Sequence, residues 1–211
     1  MTAQHTLLRG LYVITDASLT PGPRLATAVA AALRGGARLV QYRDKTADES
    51  RRHTEASTLR SLCRAHGVPF IVNDDVELAA AVGADGVHLG RDDASLPAAR
   101  ARLGPDAIIG ASCYDSLARA LDAEANGADY VAFGSFFPSP TKPHAIPAPL
   151  ALLGEARRRL HIPICAIGGI RTDNAAVLLT AGADMLAVVS GVFGADDVEA
   201  AAREFAHLFT T

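Results

Sequence analysis

The sequence is poor in several features that mark whole classes of proteins. Aromatic residues make up 5% of the 211 residues, and tryptophan is absent. The net charge is −3 without a basic cluster, which argues against a nucleic-acid surface. No apolar run approaches the roughly 20 residues of a membrane span, and the N-terminus lacks the regions of a signal peptide. We therefore expect a cytoplasmic protein that binds neither nucleic acid nor a membrane.

Cysteine is also scarce. The three cysteines, at positions 63, 113 and 165, are far apart and outside any C-x-x-C pattern. Reduced thiols are the expected state, which agrees with a cytoplasmic location. Because no Cys/His arrangement is readable around Cys113, we predict a small buried residue there rather than a nucleophile.

What the sequence does contain is an alternation of short apolar runs with longer segments of helical period. The strands are predicted at residues 11–15, 39–43, 70–73, 86–90, 108–112, 130–134, 164–168 and 185–190. The helices are predicted near residues 23–34, 46–66, 76–82, 96–103, 116–126, 149–160, 172–180 and 196–209. No linker or low-complexity stretch interrupts them. The pattern predicts one α/β domain over residues 1–211, a single-domain (β/α)8 TIM barrel, rather than an open doubly wound sheet.

An internal repeat supports the barrel. Four segments, "GGARLV" (35–40), "VGADGV" (82–87), "NGADYV" (126–131) and "AGADML" (181–186), each place Gly-Ala before an even-numbered strand. Glycine at this point suits the left-handed turn that ends a helix. Gly-Ala pairs are common in any α/β protein, but chance does not account for four copies in register.

Candidate functional residues follow the strands, because the site of such a barrel lies at the carboxyl ends of its strands. Gln41, Arg43 and Lys45 come at the end of the second strand. Strand alternation places Gln41 and Arg43 on one face, toward an interior that is normally apolar. This indicates a polar or anionic ligand; a salt-bridged rim is the alternative.

Acidic pairs follow the third and fourth strands, as "NDD" (73–75) and "GRDD" (90–93). Neighbouring barrel strands should bring the two pairs together, and close carboxylates favour a hard cation such as Mg²⁺. The alternative is structural. Asp74 with Glu77 fits a D-x-x-E capping box, and Asp75 could also cap that helix.

Two further features belong to the same end of the barrel. His88 lies within the fourth strand and is predicted to be an interior hydrogen-bonding residue rather than a metal ligand, since no second histidine is nearby in sequence. Glycines at 168–169 and Ser190-Gly191 end the seventh and eighth strands, where many such barrels bind phosphate through backbone N–H groups.

The loop "FPSPTKPH" (137–144) places three prolines around Thr141 and Lys142. Prolines restrict the loop, so less entropy is lost when it orders around a ligand. Together with Arg43, Lys45, the acidic pairs and the glycine-rich ends, Lys142 indicates a diphosphate facing a second phosphorylated substrate. Cations and Mg²⁺ would stabilise the charge of a departing diphosphate.

Seven motifs carry a family resemblance. "LYVITD", "QYRDK", "IVNDDVELAAAVGADGVHLGRDD", "IIGAS", "ADYVAFGSFFPSPTKP", "AIGGI" and "AVVSG" run in order from Leu11 to Gly191. Together they resemble the thiamine-phosphate synthase family. The resemblance implies a transferase of thiamine biosynthesis that joins hydroxymethylpyrimidine diphosphate to hydroxyethylthiazole phosphate and releases diphosphate. It also implies a dissociative route, in which a pyrimidine-methyl cation forms and no side-chain nucleophile is required.

The resemblance also implies roles for individual residues. Asp74 and Asp93 would bind Mg²⁺, and Lys142, Arg43 and Ser112 would be catalytic. The pyrimidine diphosphate would be held by Gln41, Arg43, Lys45, Asn73, Ser112 and Lys142. The thiazole phosphate would be held by Ser139, Thr141, Gly169, Val189 and Ser190.

The sequence departs from the family pattern in two places. The family often has Ser-x-His where this chain has Ser112-Cys113-Tyr114, and a threonine is common where Ser139 stands. Two alternatives stay open: a thiazole tautomerase-like isomerase, and a non-catalytic barrel that binds a phosphorylated ligand. The histidine associated with the isomerase would fall at Tyr114, and retention of Asp74 and Asp93 favours the synthase. A homo-oligomer is compatible with the sequence.

Overall fold

The computed structural model describes residues 8–138 and 147–210. The strands are β1 (Gly10–Ile14), β2 (Leu39–Tyr42), β3 (Phe70–Asn73), β4 (Gly86–Leu89), β5 (Ile108–Tyr114), β6 (Tyr130–Phe133), β7 (Ile164–Ile167) and β8 (Met185–Val188). The helices in these ranges are α1 (Arg24–Arg34), α2 (Glu49–Ala65), α3 (Val76–Val82), α4 (Leu96–Leu103), α5 (Leu117–Ala125), α6 (Ala151–Arg159), α7 (Thr172–Thr180), α8 (Ser190–Phe193) and α9 (Val198–His207).

The strands form a closed parallel barrel in chain order, in which β1 pairs with both β2 and β8. The predicted (β/α)8 barrel is therefore confirmed. Because all strands run in one direction, their carboxyl ends meet at one rim, called here the mouth. Within the described ranges, no helix is both long enough and apolar enough to cross a bilayer.

The predicted strand bounds agree with the structure to within one residue, except at the ends of β5 and β8, which differ by two residues. β5 continues to Tyr114, and its register with β6 shifts between Ser112 and Tyr114. The predicted end of β8 at Ser190 is wrong, because the strand ends at Val188. The apolar run continues through Val189, but Val189 has φ −109° and ψ −86°, outside the β region, and the chain turns there into the short helix α8.

Side chains of the strands alternate between two apolar layers. The outer layer packs between the strands and the helices. The inner layer fills the barrel with Leu8, Tyr12, Ile14, Leu39, Ile71, Ile108, Tyr130, Ala132, Cys165, Met185 and Ala187. Bulky residues close the interior, and the two large spaces among the described residues open at the mouth.

The Gly-Ala repeat has the predicted conformation. Gly36, Gly83, Gly127 and Gly182 all have positive φ, between 63° and 117°. A side chain would be strained at these four turns. The repeat therefore marks the helix-to-strand turns at the end of the barrel opposite the mouth.

Three copies of the repeat add an aspartate that joins neighbouring elements. Its carboxylate accepts a hydrogen bond from a backbone N–H near the start of the preceding strand, as Asp129 does from Ile109 at 2.7 Å. The same carboxylate pairs with an arginine on the helix before that strand. The pairs are Arg60–Asp85, Arg100–Asp129 and Arg157–Asp184. These bonds hold the amino-terminal ends of the strands together.

Replacement of one of these aspartates should therefore destabilise the fold. Asp129→Ala leaves the N–H of Ile109 without its acceptor and should lower the free energy of unfolding by about 1–3 kcal/mol. Urea unfolding followed by circular dichroism measures the change. The exposed loop residue Asp196 provides the control, Asp196→Ala, which should remain within about 0.5 kcal/mol of wild type. Equal stability of the two variants would contradict the structural role of Asp129.

Candidate active site

Two adjoining spaces open at the mouth. The central cavity, of about 560 Å³, lies over the barrel interior. The outer groove, of about 640 Å³, lies beside the loops that follow β2 and β3, and Asn73 lines both spaces. The predicted site residues in the central cavity are Gln41, Arg43, Asn73, Ser112, Gly169, Val189 and Ser190. Those in the outer groove are Lys45, Asn73 and Asp74.

Three predicted residues, Ser139, Thr141 and Lys142, lie outside the described residues. The described start of their loop is attached to the end of β7. The N–H groups of Phe136 and Phe137 donate to the carbonyls of Ile167 and Gly168, both at 3.1 Å. The loop after β6 therefore leaves the barrel beside the central cavity.

The end of β2 directs polar groups into the mouth, as strand alternation predicts. Gln41 is 2% exposed, and its side-chain amide donates to the hydroxyl of Tyr12. Arg43 lies one residue beyond the strand, and its Nη1 is 3.3 Å from Oδ2 of Asp16. Both interpretations of the sequence therefore apply to Arg43. It lines the central cavity, where a ligand could bind, and it also forms an ion pair at the rim.

The two aspartates after β3 have different tasks. Asp75 caps α3, since its Oδ1 accepts from the N–H of Leu78 at 2.9 Å. The alternative capping box of Asp74 with Glu77 is wrong: Glu77 instead accepts a bidentate hydrogen bond from Arg102, from Nε to Oε1 at 3.0 Å and from Nη2 to Oε2 at 2.8 Å. Asp74 has φ 63°, a left-handed conformation that is uncommon for residues other than glycine and asparagine. Asp74 is therefore not explained by helix capping.

The carboxylates of Asp74 and Asp93 meet, as the sequence predicts. Burial, followed by the neighbouring Asp93 carboxylate, raises the pKa of Asp74. Asp93 Oδ2 accepts from the N–H of Gly90 at 2.6 Å, and Lys45 Nζ lies 3.6 Å from Asp74 Oδ2. Two carboxylates that meet at neighbouring strand ends, with only Lys45 paired to one of them among the described residues, form an anionic pair that a cation would stabilise.

This pair makes a stability prediction that separates Asp74 from Asp75. At neutral pH and without divalent cations, Asp74→Asn should raise the free energy of unfolding by up to about 1 kcal/mol, because it removes one of two facing charges. The pKa of folded Asp74 lies above the ordinary 3.8, so stability falls as pH rises through that pKa. The gain should therefore vanish below about pH 4.

Urea unfolding of wild type and Asp74→Asn, at neutral pH and below about pH 4, measures this difference in the free energy of unfolding. Asp75→Ala is the matched control and should lose about 1 kcal/mol at neutral pH, because it removes the cap of α3. A loss of stability for Asp74→Asn at neutral pH would show that the carboxylate contributes to the fold instead of opposing it.

The interior role predicted for His88 is confirmed. The residue is 8% exposed. Its Nδ1 lies 2.9 Å from the hydroxyl of Tyr130, and its Nε2 lies 2.8 Å from Oγ of Ser112. His88 therefore connects the barrel interior to a predicted substrate-binding serine.

The prediction for the cysteines is also confirmed. All three are free and buried. Burial raises the pKa of the Cys113 thiol to about 12, so a thiolate is not available at neutral pH. Burial also raises the pKa of the Cys63 and Cys165 thiols, so all three are protonated at neutral pH.

The glycines at the end of β7 are required by close packing. A Cβ on Gly168 would lie 1.9 Å from Oγ of Ser135, and one on Gly169 would lie 2.4 Å from the carbonyl of Pro138. Both glycines also line the central cavity with Ser190. They bring the β7 end, the β8 end and the loop after β6 together at one side of the mouth.

Three residues that line the central cavity, Arg91, Tyr114 and Tyr12, and the buried Tyr130 below it were not predicted to form the site. Arg91 lies over the ring of Tyr114, with its guanidinium carbon 5.2 Å from the ring centroid. Tyr12 and Tyr130 present their hydroxyls to the polar groups at the floor. Tyrosines at inward strand positions were the available signal for the latter two; the contact of Arg91 has no signature in the sequence.

A closed parallel barrel with charged and glycine-rich loops at the carboxyl ends of its strands defines a (β/α)8-barrel protein whose candidate site lies at the mouth. Comparison with known proteins narrows this class. A family model described as thiamine monophosphate synthase matches residues 11–192. The chain belongs to the thiamine monophosphate synthase family.

Individual relatives agree over the full chain. The thiamine-phosphate synthase of Thioalkalivibrio sulfidiphilus is 58% identical over 209 residues, which cover 99% of each chain. That of Thiobacillus denitrificans is 57% identical over 206 residues, covering 97% of each. The solved thiamine phosphate pyrophosphorylase from Pyrococcus furiosus superposes with a TM-score of 0.87 at 42% identity, covering 98% of this chain and 97% of that chain.

Proposed function

We propose that this protein is a thiamine-phosphate synthase that transfers the pyrimidine-methyl group of hydroxymethylpyrimidine diphosphate to the nitrogen of hydroxyethylthiazole phosphate. Diphosphate is the leaving group. One observation carries the proposal: the outer groove, lined by Asp74 whose carboxylate meets that of Asp93, adjoins at Asn73 the central cavity that runs to the glycines of β7. This arrangement supports separate positions for a metal-bound diphosphate and a second phosphate.

The carboxylate pair fits Mg²⁺. Within residues 8–138 and 147–210, no cluster of three or more histidine, cysteine or acidic side chains could hold a metal ion alone. This agrees with a metal that is shared between the protein and a ligand, because Mg²⁺ is usually bound by one or two carboxylates plus substrate phosphates and water. Asp74 and Asp93 would hold the ion, which would neutralise charge on the leaving diphosphate.

The remaining residues divide between the two substrates. Gln41, Asn73 and Ser112 would hold the pyrimidine side. Arg43, Lys45 and Lys142 would face the diphosphate, where positive charge stabilises the transition state more than the ground state. The thiazole phosphate would be bound by Ser139, Thr141, Gly169, Val189 and Ser190.

The chemistry requires positioning rather than a nucleophile. An aminopyrimidine stabilises its own methyl cation, so the carbon–oxygen bond can break before the thiazole nitrogen attacks. The apolar walls of Ile14, Ile167 and Val188 limit water at the cavity, which protects such a cation from hydrolysis. The buried, protonated cysteines are consistent with a route that forms no enzyme adduct.

The reaction can be tested directly. Purified protein with both substrates and Mg²⁺ should release thiamine phosphate and diphosphate in equal amounts. Chromatography measures the thiamine phosphate, and a diphosphate assay measures the leaving group. Removal of Mg²⁺ with a chelator should abolish turnover. Absence of product from folded protein under these conditions would contradict the proposed function.

The metal assignment predicts different results for two adjacent aspartates. Asp93→Asn should lower turnover by about 10²-fold or more and raise the Mg²⁺ requirement, because Asp93 faces Asp74. Asp92→Asn, the matched control, should remain close to wild type. Activity measured against Mg²⁺ concentration decides between them, and the reverse order would assign the metal to Asp92.

Lys142 provides a test of leaving-group stabilisation. Lys142→Ala should reduce turnover by about 10²–10³-fold, as expected for loss of one group that stabilises transition-state charge, with an unchanged circular dichroism spectrum. Steady-state kinetics with both substrates measures this. Turnover equal to wild type would exclude a catalytic role for Lys142.

We also propose that the enzyme acts in the cytoplasm. The three free, buried cysteines support a reducing compartment. The tautomerase-like alternative lacks support at Tyr114, where its histidine would be expected, and a non-catalytic carrier would have no use for the leaving-group cations.

A further inference from the structure

A continuous chain of hydrogen bonds crosses the barrel interior beneath the central cavity. The amide of Gln41 donates to the hydroxyl of Tyr12, which lies 2.9 Å from the hydroxyl of Tyr130. Tyr130 in turn contacts Nδ1 of His88 at 2.9 Å, and Nε2 of His88 contacts Ser112 at 2.8 Å. We call this series of hydrogen bonds the Gln41–Ser112 relay. Its first and last residues, Gln41 and Ser112, both line the central cavity.

All hydrogen bonds of the relay can form at the same time with only one placement of the hydroxyl and imidazole protons. Since the Tyr12 oxygen accepts from Gln41, its own proton is directed to Tyr130, and the proton of Tyr130 is directed to Nδ1 of His88. The histidine then carries its proton on Nε2 and donates it to Ser112. Burial raises the pKa of both phenols, so neither gives up its proton at neutral pH.

We propose that Tyr12, Tyr130 and His88 are positioning residues, whose relay holds Gln41 and Ser112 in the orientations that receive the pyrimidine. This inference rests on the proposed function for the identity of the ligand. The hydrogen-bond donors and acceptors that Gln41 and Ser112 present to the cavity follow from the relay and do not depend on the proposed function.

The pattern matches an aminopyrimidine. Among the described residues, the side-chain carbonyl of Gln41 accepts no hydrogen bond, so the amide can present this acceptor and its second N–H to the cavity. An exocyclic amino group beside a ring nitrogen offers the complementary donor and acceptor. Ser112 accepts from His88, which leaves its own proton to donate to a second ring nitrogen or to a diphosphate oxygen.

The backbone makes room for the relay at one point. A Cβ on Gly110 would lie 2.1 Å from the ring carbon that carries the Tyr130 hydroxyl. Gly110 pairs with His88 on one side and Tyr130 on the other. The ring of Tyr130 therefore lies across β5 and stacks near the imidazole, with centroids 5.5 Å apart.

The tautomer of His88 tests the direction of the relay without any substrate. Long-range ¹⁵N–¹H NMR spectra of the full-length protein labelled at histidine nitrogens should show the His88 proton on Nε2, with His88→Asn used for assignment. Tyr130→Phe removes the donor to Nδ1 and should move part or all of the proton to Nδ1. Tyr12→Phe should keep the wild-type tautomer, because Tyr130 still donates.

Kinetics tests the positioning role. Tyr12→Phe and Tyr130→Phe should each raise the KM for the pyrimidine diphosphate by about 3–10-fold, since Gln41 or Ser112 must then be ordered on binding. The KM for the thiazole phosphate should remain unchanged. Tyr42→Phe is the matched control: this buried hydroxyl faces the helices and bonds Glu55 at 2.7 Å, so its loss should change neither the tautomer nor the pyrimidine KM.

The outcomes separate this inference from the proposed function. A wild-type proton on Nδ1 would overturn the direction of the relay, and an unchanged pyrimidine KM in both relay variants would overturn its positioning role. If Tyr130→Phe does not fold, Tyr12→Phe alone decides the kinetic test. If wild type makes no thiamine phosphate, the function fails while the tautomer result still stands.

Discussion

Closure of the barrel is the constraint on which the rest of the structure depends. Pairing of β1 with β8 leaves no free edge in the sheet and directs all eight carboxyl ends to one rim. The opposite rim carries the glycine turns and the Asp–Arg pairs that hold the strands together. Stability is thus concentrated at one end of the barrel, and groups that oppose folding are tolerated at the other.

Asp74 and Asp93 are such groups. The first has a left-handed backbone, and its pKa is raised by burial and by the second. Neither property benefits the unliganded fold, and a cation arriving with the ligand would offset the raised pKa. The side of the mouth formed by Gly168 and Gly169 differs from the carboxylate side. Tight packing positions its backbone groups, and no like charges face each other there.

Much of the fold could be predicted from the sequence, because apolar periodicity and the Gly-Ala repeat report local structure. The residues that follow each strand could also be identified, since a parallel barrel places them at one rim. The assignment of the cap to Asp75 rather than Asp74 depends on backbone angles that no spacing rule supplies. The end of β8 was missed because Val189 continues an apolar run while its ψ angle leaves the strand.

The relay beneath the cavity was beyond sequence reasoning for a different reason. Tyr12 and Tyr130 are 118 residues apart, and their contact depends on the stagger of the strands around the barrel. The interior position of His88 could be predicted from alternation alone. Its two partners could not, because they belong to β5 and β6.

The division of the mouth between metal-bound diphosphate and thiazole phosphate can be tested by a crystal structure with Mg²⁺, thiazole phosphate and a non-hydrolysable pyrimidine diphosphate analogue. We expect the metal between Asp74 and Asp93, the pyrimidine ring against Gln41 and Ser112, and the thiazole phosphate at the glycines of β7. A diphosphate bound at those glycines, with no metal at the two aspartates, would contradict this division.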